Sequence, residues 1–320
     1  MSAGCPDSRF GYVALIGRPN VCKSTFINRI LGQKLVATSR KAQMTRHQIL
    51  GVYTKDCVQM AVLDLPGIHS RKDHRLNAVL NKTALAAMAD VDVLAVIVDV
   101  TQWTDEDELV FRHLAKSSKK KILLLNKVDR VKDKGQLLPL IQDISSRLPF
   151  DEVVPISCKQ GTNIESALEA IARHIPQGEF FFSEDDLTDR SVRFLCEEFI
   201  REKVHRLTGQ ELPYSTAIQV ESFDEQENIT NIHAVIWVDR QSQKKIVIGK
   251  GGSLIKRIGT EARQEIESLL EQKVNLKLWV KVRKDWQNSE RALTELGLSS
   301  NAAQSGSGHH SSYQALSRNQ

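Results

Sequence analysis

The sequence is poor in the marks of secreted and membrane proteins. Its five cysteines, Cys5, Cys22, Cys57, Cys158 and Cys196, are odd in number, widely spread and without a C-x-x-C pair. That pattern speaks against a disulfide framework or a zinc site and for a reducing compartment. The longest clean apolar run is the six residues Val93–Val98, far short of the roughly 20 needed to span a bilayer. Met1–Phe10 has no apolar h-region and is not an Arg-rich, acid-poor leader, so neither a secretory signal nor a transit peptide is expected. Aromatic residues make up only 6% of the chain, and no large excess of one charge exists: 44 Lys+Arg face 39 Asp+Glu, a net charge of +5. Such a balance is too even to argue for nucleic acid by itself.

What is present is the composition of a soluble globular protein, 41% apolar and 26% charged, which excludes disordered, collagenous and coiled-coil classes. A length of 320 residues suits about two domains with separate cores. The charge is unevenly placed. Arg240–Thr260 holds six basic residues and no acid.

The first 175 residues alternate strand and helix patterns. Strands are expected at Tyr12–Ile16, Gln48–Tyr53, Val58–Leu63, Val93–Val98, Lys121–Leu125 and Val153–Ile156, with helices between most of them. Such alternation predicts a mainly parallel, doubly wound α/β sheet. The four-residue gap Thr54–Cys57 is too short for a parallel crossover, so those two strands should form an antiparallel hairpin. Pro176, Gly178 and the acidic run Glu184–Asp186 then mark a linker. Beyond it the order becomes helix, strand, strand, short helix, helix, strand, a separate α+β unit. The expected division is an N-terminal segment 1–9, a first domain 10–175, a linker 176–190, a second domain 191–285, a C-terminal segment 286–298 and a Ser/Asn/Gln/Gly-rich disordered tail 299–320.

Four short strings carry chemistry. Gly17-Arg-Pro-Asn-Val-Cys-Lys-Ser-Thr25 follows a strand and opens a helix, close to the template G-x-x-x-x-G-K-[ST]. Backbone N–H groups of Asn20, Val21, Cys22 and Thr25 would face phosphate, Lys23 would meet β/γ charge, and the Ser24 hydroxyl would ligate Mg²⁺. Cys22 departs from the template. A Cβ there is expected to clash or to sit at an unfavourable φ, weakening nucleotide binding. Asp64-Leu-Pro-Gly67 offers a carboxylate to Mg²⁺ and a glycine N–H to a γ-phosphate. In Asn126-Lys127-Val128-Asp129 the Asp129 carboxylate can accept from guanine N1–H and the exocyclic amine. Adenine lacks that donor pair, which disfavours an ATP-dependent kinase. Asn126 would tie this loop to the phosphate loop, and the Lys127 stem would pack on the base. Ser157-Cys158-Lys159 would bring a backbone N–H to the guanine oxygen. Alone each string is weak; four in this order at strand ends point to a GTP/GDP site.

In the second unit Gly249-Lys-Gly-Gly252 is a G-x-x-G loop between helices, the device of KH domains. Lys244, Lys245, Lys250, Lys256 and Arg257 would supply counter-charge, with Gly249, Gly251 and Gly252 allowing close backbone approach. Aromatics are sparse in this segment, so stacking is not its main driver. The element order is that of a type II KH domain.

These residues, together with Thr38–His47, Leu212–Ser215, Lys244–Gly252 and Leu278–Val282, resemble the Era family of bacterial GTPases, whose GTPase domain is of the TrmE–Era–EngA–EngB–Septin type. The match runs from about Phe10 to Gly297, and a single phosphate loop sets it apart from tandem-GTPase relatives. The resemblance implies that Thr45 closes on Mg²⁺ and γ-phosphate, with Lys23 and Gly67 as the other catalytic groups. Met44 stands where the family usually has threonine. Ile68 and His69 follow Gly67 where other small GTPases carry a water-orienting glutamine, so slow hydrolysis is implied and no general base is assigned. It further implies binding near the 3′ end of small-subunit ribosomal RNA, a role in small ribosomal subunit assembly, a monomer, and a cytoplasmic place with peripheral membrane association. The mitochondrial matrix is the alternative location. The rival function is an RNA-binding scaffold whose nucleotide site is impaired by Cys22.

Overall fold

The computed structural model describes residues 7–38, 48–68, 75–209, 216–286 and positions 289, 291 and 295. The expected Thr45, Met44, His69, Leu212–Ser215 and 299–320 tail lie outside the described residues.

The chain divides into two compact units. The first holds β1 (Arg9–Ile16), α1 (Lys23–Ile30), β2 (Ile49–Lys55), β3 (Val58–Asp64), α2 (Arg75–Asp90), β4 (Val93–Asp99), α3 (Asp105–Leu114), β5 (Lys120–Asn126), α4 (Leu137–Arg147), β6 (Glu152–Pro155) and α5 (Ile164–Ala172). Its six-stranded sheet runs β2-β3-β1-β4-β5-β6, parallel except for β2. β2 pairs antiparallel with β3, Ile49 opposite Asp64 through Lys55 opposite Val58, as the short gap demands. Every residue of β4 is buried, because helices cover both faces and a central parallel strand has no wet side. β1 lies between β3 and β4. The connections therefore diverge from its C-terminal end and open a crevice there.

Residues 177–188 stay with this unit. Gln59 donates to the Phe182 carbonyl (2.9 Å), and its Oε1 accepts the Phe181 and Phe182 N–H groups at 3.0 and 2.9 Å. The Val52 N–H donates to the Leu187 carbonyl at 2.9 Å, and Gly51 bridges Thr188. Cys22, Cys158 and Cys196 are free thiols. Cys57, in the turn between β2 and β3, is disulfide-bonded, which corrects the expectation that the cysteines form no cross-link.

The second unit contains α6 (Val192–Leu207), β7 (Thr216–Glu225), β8 (Ile229–Val238), α7 (Gln241–Ile248), α8 (Ser253–Leu270) and β9 (Lys273–Val282). Its sheet order is β7-β8-β9, antiparallel then parallel. α6 and α8 pack on one another and onto the sheet. Leu195, Phe199 and Val204 of α6, Ile258, Ala262 and Ile266 of α8, and Ile232, Ala234, Ile236 and Val238 of β8 are all buried. That is the type II KH arrangement. No helix among the described residues is long and apolar enough to cross a membrane.

Candidate nucleotide site and nucleic-acid interface

The phosphate loop leaves β1 at Gly17. A Cβ at Gly17 would stand 2.5 Å from the Ile97 carbonyl oxygen, so only glycine lets the chain turn against β4. Lys23 folds back over the loop, its Nζ donating to the Gly17 and Arg18 carbonyls at 2.9 and 3.0 Å. Burial pushes this ammonium down to about 8, with the nearby Asp64 charge opposing the fall. An arriving phosphate would favour the charged form. The Ser24 hydroxyl donates to Asp64 Oδ2 at 2.7 Å. This joins the start of α1 to the end of β3. Thr25 follows in the first turn of α1, and Gly67 sits against Pro19 of the loop. A hydroxyl and a carboxylate meeting as hard oxygen donors fit Mg²⁺ chemistry.

Asn126 ends β5 and is buried. Its Nδ2 donates to the Val21 carbonyl at 2.7 Å, and its Oδ1 accepts the Cys158 N–H at 2.9 Å. One amide thus spans the phosphate loop and the loop after β6. Ser157 donates to Asp129 Oδ1 at 2.6 Å and accepts the Gln160 N–H at 3.1 Å, fixing the carboxylate in the single turn Val128–Arg130. Lys127 has φ 70° and donates to the Asn20 carbonyl at 3.2 Å. Lys159 is exposed, and its carbonyl and that of Cys158 accept from Arg29 of α1 at 2.6 and 3.3 Å. Burial drives the Cys158 thiol well above its usual range, and the nearby Cys22 adds to the rise.

Sequence patterns missed a charged cluster beneath the loop. Arg18 is buried against Asp107 (2.9 Å) and Asp99 (3.6 Å), and Lys127 also pairs with Asp99. Asp107 caps α3 as well, accepting from the Thr104 N–H and hydroxyl at 2.9 Å each. Burial raises the Asp99 carboxyl, yet hydrogen bonds from Lys127 and Thr101 outweigh it and hold the group below the usual range. The signal available in sequence was Thr104-x-x-Asp107, a helix-start pattern.

Cys22 lies at φ 79°, ψ 32°, immediately before α1. The expected unfavourable φ is present, and a side chain there costs about 1–2 kcal/mol. The turn still closes, with the Phe26 N–H donating to the Cys22 carbonyl at 3.0 Å. Cys22→Gly is therefore expected to raise unfolding free energy by about 1 kcal/mol, read from urea midpoints at constant m. An unchanged or lower midpoint would show that the loop carries no strain here.

In the second unit Gly249, Gly251 and Gly252 have φ of 73°, 59° and 78°. At Gly249 a Cβ would stand 2.7 Å from Leu254 Cβ, so α7 and α8 meet only around glycine. Lys245, Lys250 and Lys256 are exposed and Lys244 is half-buried. Arg257 donates to Glu261 at 2.9 Å, and Glu261 also pairs with Arg206. Its expected place as counter-charge is thus shared with an acid one turn on. Ile246 is 50% exposed, whereas Val247 and Ile258 are buried.

Comparison with known proteins agrees with this geometry. A family model described as 50S ribosome-binding GTPase matches residues 12–127, and a KH domain model matches 211–287. The chain is 50% identical over 290 residues to GTPase Era of Pseudomonas putida strain F1, covering 91% of this chain and 97% of the relative. It is 50% identical over 289 residues to GTPase Era of Azotobacter vinelandii, covering 90% and 96%. Among solved structures it is similar to Era in complex with MgGDPNP and nucleotides 1506–1542 of 16S ribosomal RNA. A variant of Aquifex aeolicus Era bound to GDP·AlF4⁻ is equally similar. In both cases the TM-score is 0.87 at 37% identity, over 91% of this chain and 99% of the other. With both units accounted for over nearly their full length, the chain belongs to the Era family of GTPases.

Proposed function

We propose that this chain is a GTP-driven switch that binds small-subunit ribosomal RNA near its 3′ end and assists assembly of the small ribosomal subunit. It acts as a monomer in the cytoplasm. The observation that carries the reading is convergence. Lys23, Ser24, Asp64, Gly67, Asn126, Asp129 and Ser157–Lys159 come from four separate stretches, yet all stand at the C-terminal ends of β1, β3, β5 and β6.

In this reading the N–H groups of Gly17–Thr25 and the ammonium of Lys23 hold the β- and γ-phosphates. Asp129 and a backbone N–H of the Ser157–Lys159 loop choose guanine, and Asn126 keeps the two loops in register. Ser24, Asp64 and Thr45 would hold Mg²⁺, which supplies charge neutralisation at the phosphates when bound. The Gly67 N–H would orient the γ-phosphate. Hydrolysis then removes the γ-phosphate contacts of Lys23 and Gly67, and the GTP and GDP states differ in RNA affinity. Era itself has been solved with MgGDPNP and a 16S ribosomal RNA segment, which supports the same ligands for this chain.

The scaffold reading with a nucleotide site disabled by Cys22 is not supported. The identity to GTPase Era extends through both units, and the loop keeps its Lys23, Ser24 and Asn126 contacts around the cysteine.

RNA binding is tested by Gly252→Asp. The position has open space around it but a φ of 78°, so the carboxylate meets phosphate with like charge while its side chain strains the loop backbone. Loss of about 1–3 kcal/mol of RNA affinity is expected with GDP binding unchanged. Filter binding at moderate salt reads it, and undiminished retention would place the RNA elsewhere.

A further inference from the structure

β4 and β5 end on the same rung of the sheet, Asp99 opposite Asn126. Asn126 braces two loops with an amide. Asp99, one strand over and buried, stands where a carboxylate can do the same with charge. Its Oδ1 accepts the Thr101 N–H and hydroxyl at 3.0 and 2.6 Å, which fixes the side chain. Its Oδ2 faces two cations from different loops. Lys127 of the base loop donates to it, and Arg18 of the phosphate loop holds its Nη2 at 3.6 Å.

The two cations are held unequally. Lys127 takes φ 70°, a conformation unfavourable to a side chain. From there its ammonium reaches both Asp99 and the Asn20 carbonyl, the latter at 3.2 Å. Arg18 donates from Nε to Asp107 at 2.9 Å and from Nη1 to the Pro19 carbonyl at 3.3 Å. Its Nη2 is buried with no hydrogen bond. Buried donors are almost always satisfied, so an orphan calls for an explanation. At 3.6 Å this group is a charge neighbour of Asp99 and not its hydrogen-bond partner, because Oδ2 is committed to Lys127. A ligand oxygen that draws the Lys127 ammonium off Oδ2 leaves that oxygen to Arg18. The guanidinium then closes its fork between Asp99 and Asp107. Asp107 also caps α3, so the closed fork ties the phosphate loop to a helix.

We propose that Asp99 is a positioning residue that couples base binding to the phosphate loop. It aims Lys127 at the base and passes its second oxygen to Arg18 when the nucleoside engages the ammonium. Base and phosphates then bind cooperatively. The proposal rests on the nucleotide reading of the site.

Two measurements on the full chain with Mg²⁺ test it, each comparing GDP with inorganic pyrophosphate, which lacks the nucleoside. In the first, side-chain NMR of ¹⁵N-arginine-labelled protein follows the Arg18 guanidinium, assigned by its loss in Arg18→Lys. GDP should slow rotation of the Nη2 group and bring its protons into view, whereas pyrophosphate should not. No change with GDP, or the same change with both ligands, would overturn the proposal. The second uses Asp99→Asn, which keeps the size and one acceptor but removes the charge. It should weaken GDP about tenfold, the lower end for a charge-assisted bond, and leave pyrophosphate within about twofold. In a Lys127→Ala background the same substitution should cost less than about threefold, because Asp99 acts through Lys127. Equal losses on both ligands, or an undiminished loss without Lys127, would make Asp99 a brace of the fold alone and sink the coupling. If Asp99→Asn does not fold, the NMR comparison on the unsubstituted chain decides. An unsubstituted chain that binds neither ligand would instead defeat the nucleotide reading, a result distinct from a loss that the variant shows on both.

Discussion

Asp129→Asn is expected to turn the site from guanine to xanthine nucleotides. A carboxylate offers two acceptors to the guanine N1–H and 2-amine. An amide offers one acceptor and one donor, so it faces the amine with N–H and loses both charge-assisted bonds. At about 1.5–3 kcal/mol for each such bond, GTP affinity should fall by about a hundredfold or more. The same amide donor meets the 2-oxo group of xanthine. The loop itself should survive, because an asparagine oxygen can still accept from the Ser157 hydroxyl, now 2.6 Å from Asp129 Oδ1. Competition between GTP and XTP for the variant is the measurement. Retained guanine preference would remove Asp129 from base recognition.

Asn126→Ala should cost even more, and to the fold as well as to the ligand. Deleting the amide leaves the Val21 carbonyl and the Cys158 N–H without the bonds of 2.7 and 2.9 Å that satisfy them in a buried place. Each such group left unmet costs about 1–3 kcal/mol, so a loss of about 2–6 kcal/mol is expected in nucleotide-free urea unfolding. GDP affinity should fall with it, since the phosphate and base loops lose their common brace. A change below about 0.5 kcal/mol, the range of ordinary surface substitutions, would mean that the strands alone hold these loops.

Sequence made the first unit legible wherever one strand carried its own signal. β4 is apolar throughout because both faces are covered, and the hairpin followed from a connection too short for anything else. β1 begins at Arg9 rather than Tyr12 because Arg9, Phe10 and Gly11 pair with Val58, Gln59 and Met60. A charged residue and a glycine hide that pairing. β7 runs on to Glu225 through an irregularity between Val220 and Ser222, where polar residues end the apolar alternation but not the ladder. The site shows the same division. The phosphate-loop and base-recognition strings are local and could be read directly. The pairing of Arg18 with Asp99 and Asp107 could not, because only the adjacency of β1 and β4 brings together residues some 80 positions apart. Arg257 reads as available charge in the sequence, but Glu261 on the next turn already pairs with it. Motifs identify what a residue can do, and the fold decides whether it is already occupied.

The stretch from Gln177 to Thr188 has a bearing on how the first unit stays apart from other chains. β2 is the outermost strand on its side of the sheet, and its far backbone would offer unpaired N–H and C=O groups to any extended segment nearby. Leu187 and Thr188 take up part of that row at Val52 and Gly51, and Gln59 fastens Phe181 and Phe182 behind them. The segment that leads out of the unit thus shields its own border against self-association. A fragment ended at Ile175 would keep every strand and helix of the sheet yet expose a sticky margin, whereas one ended at Asp189 carries its guard with it.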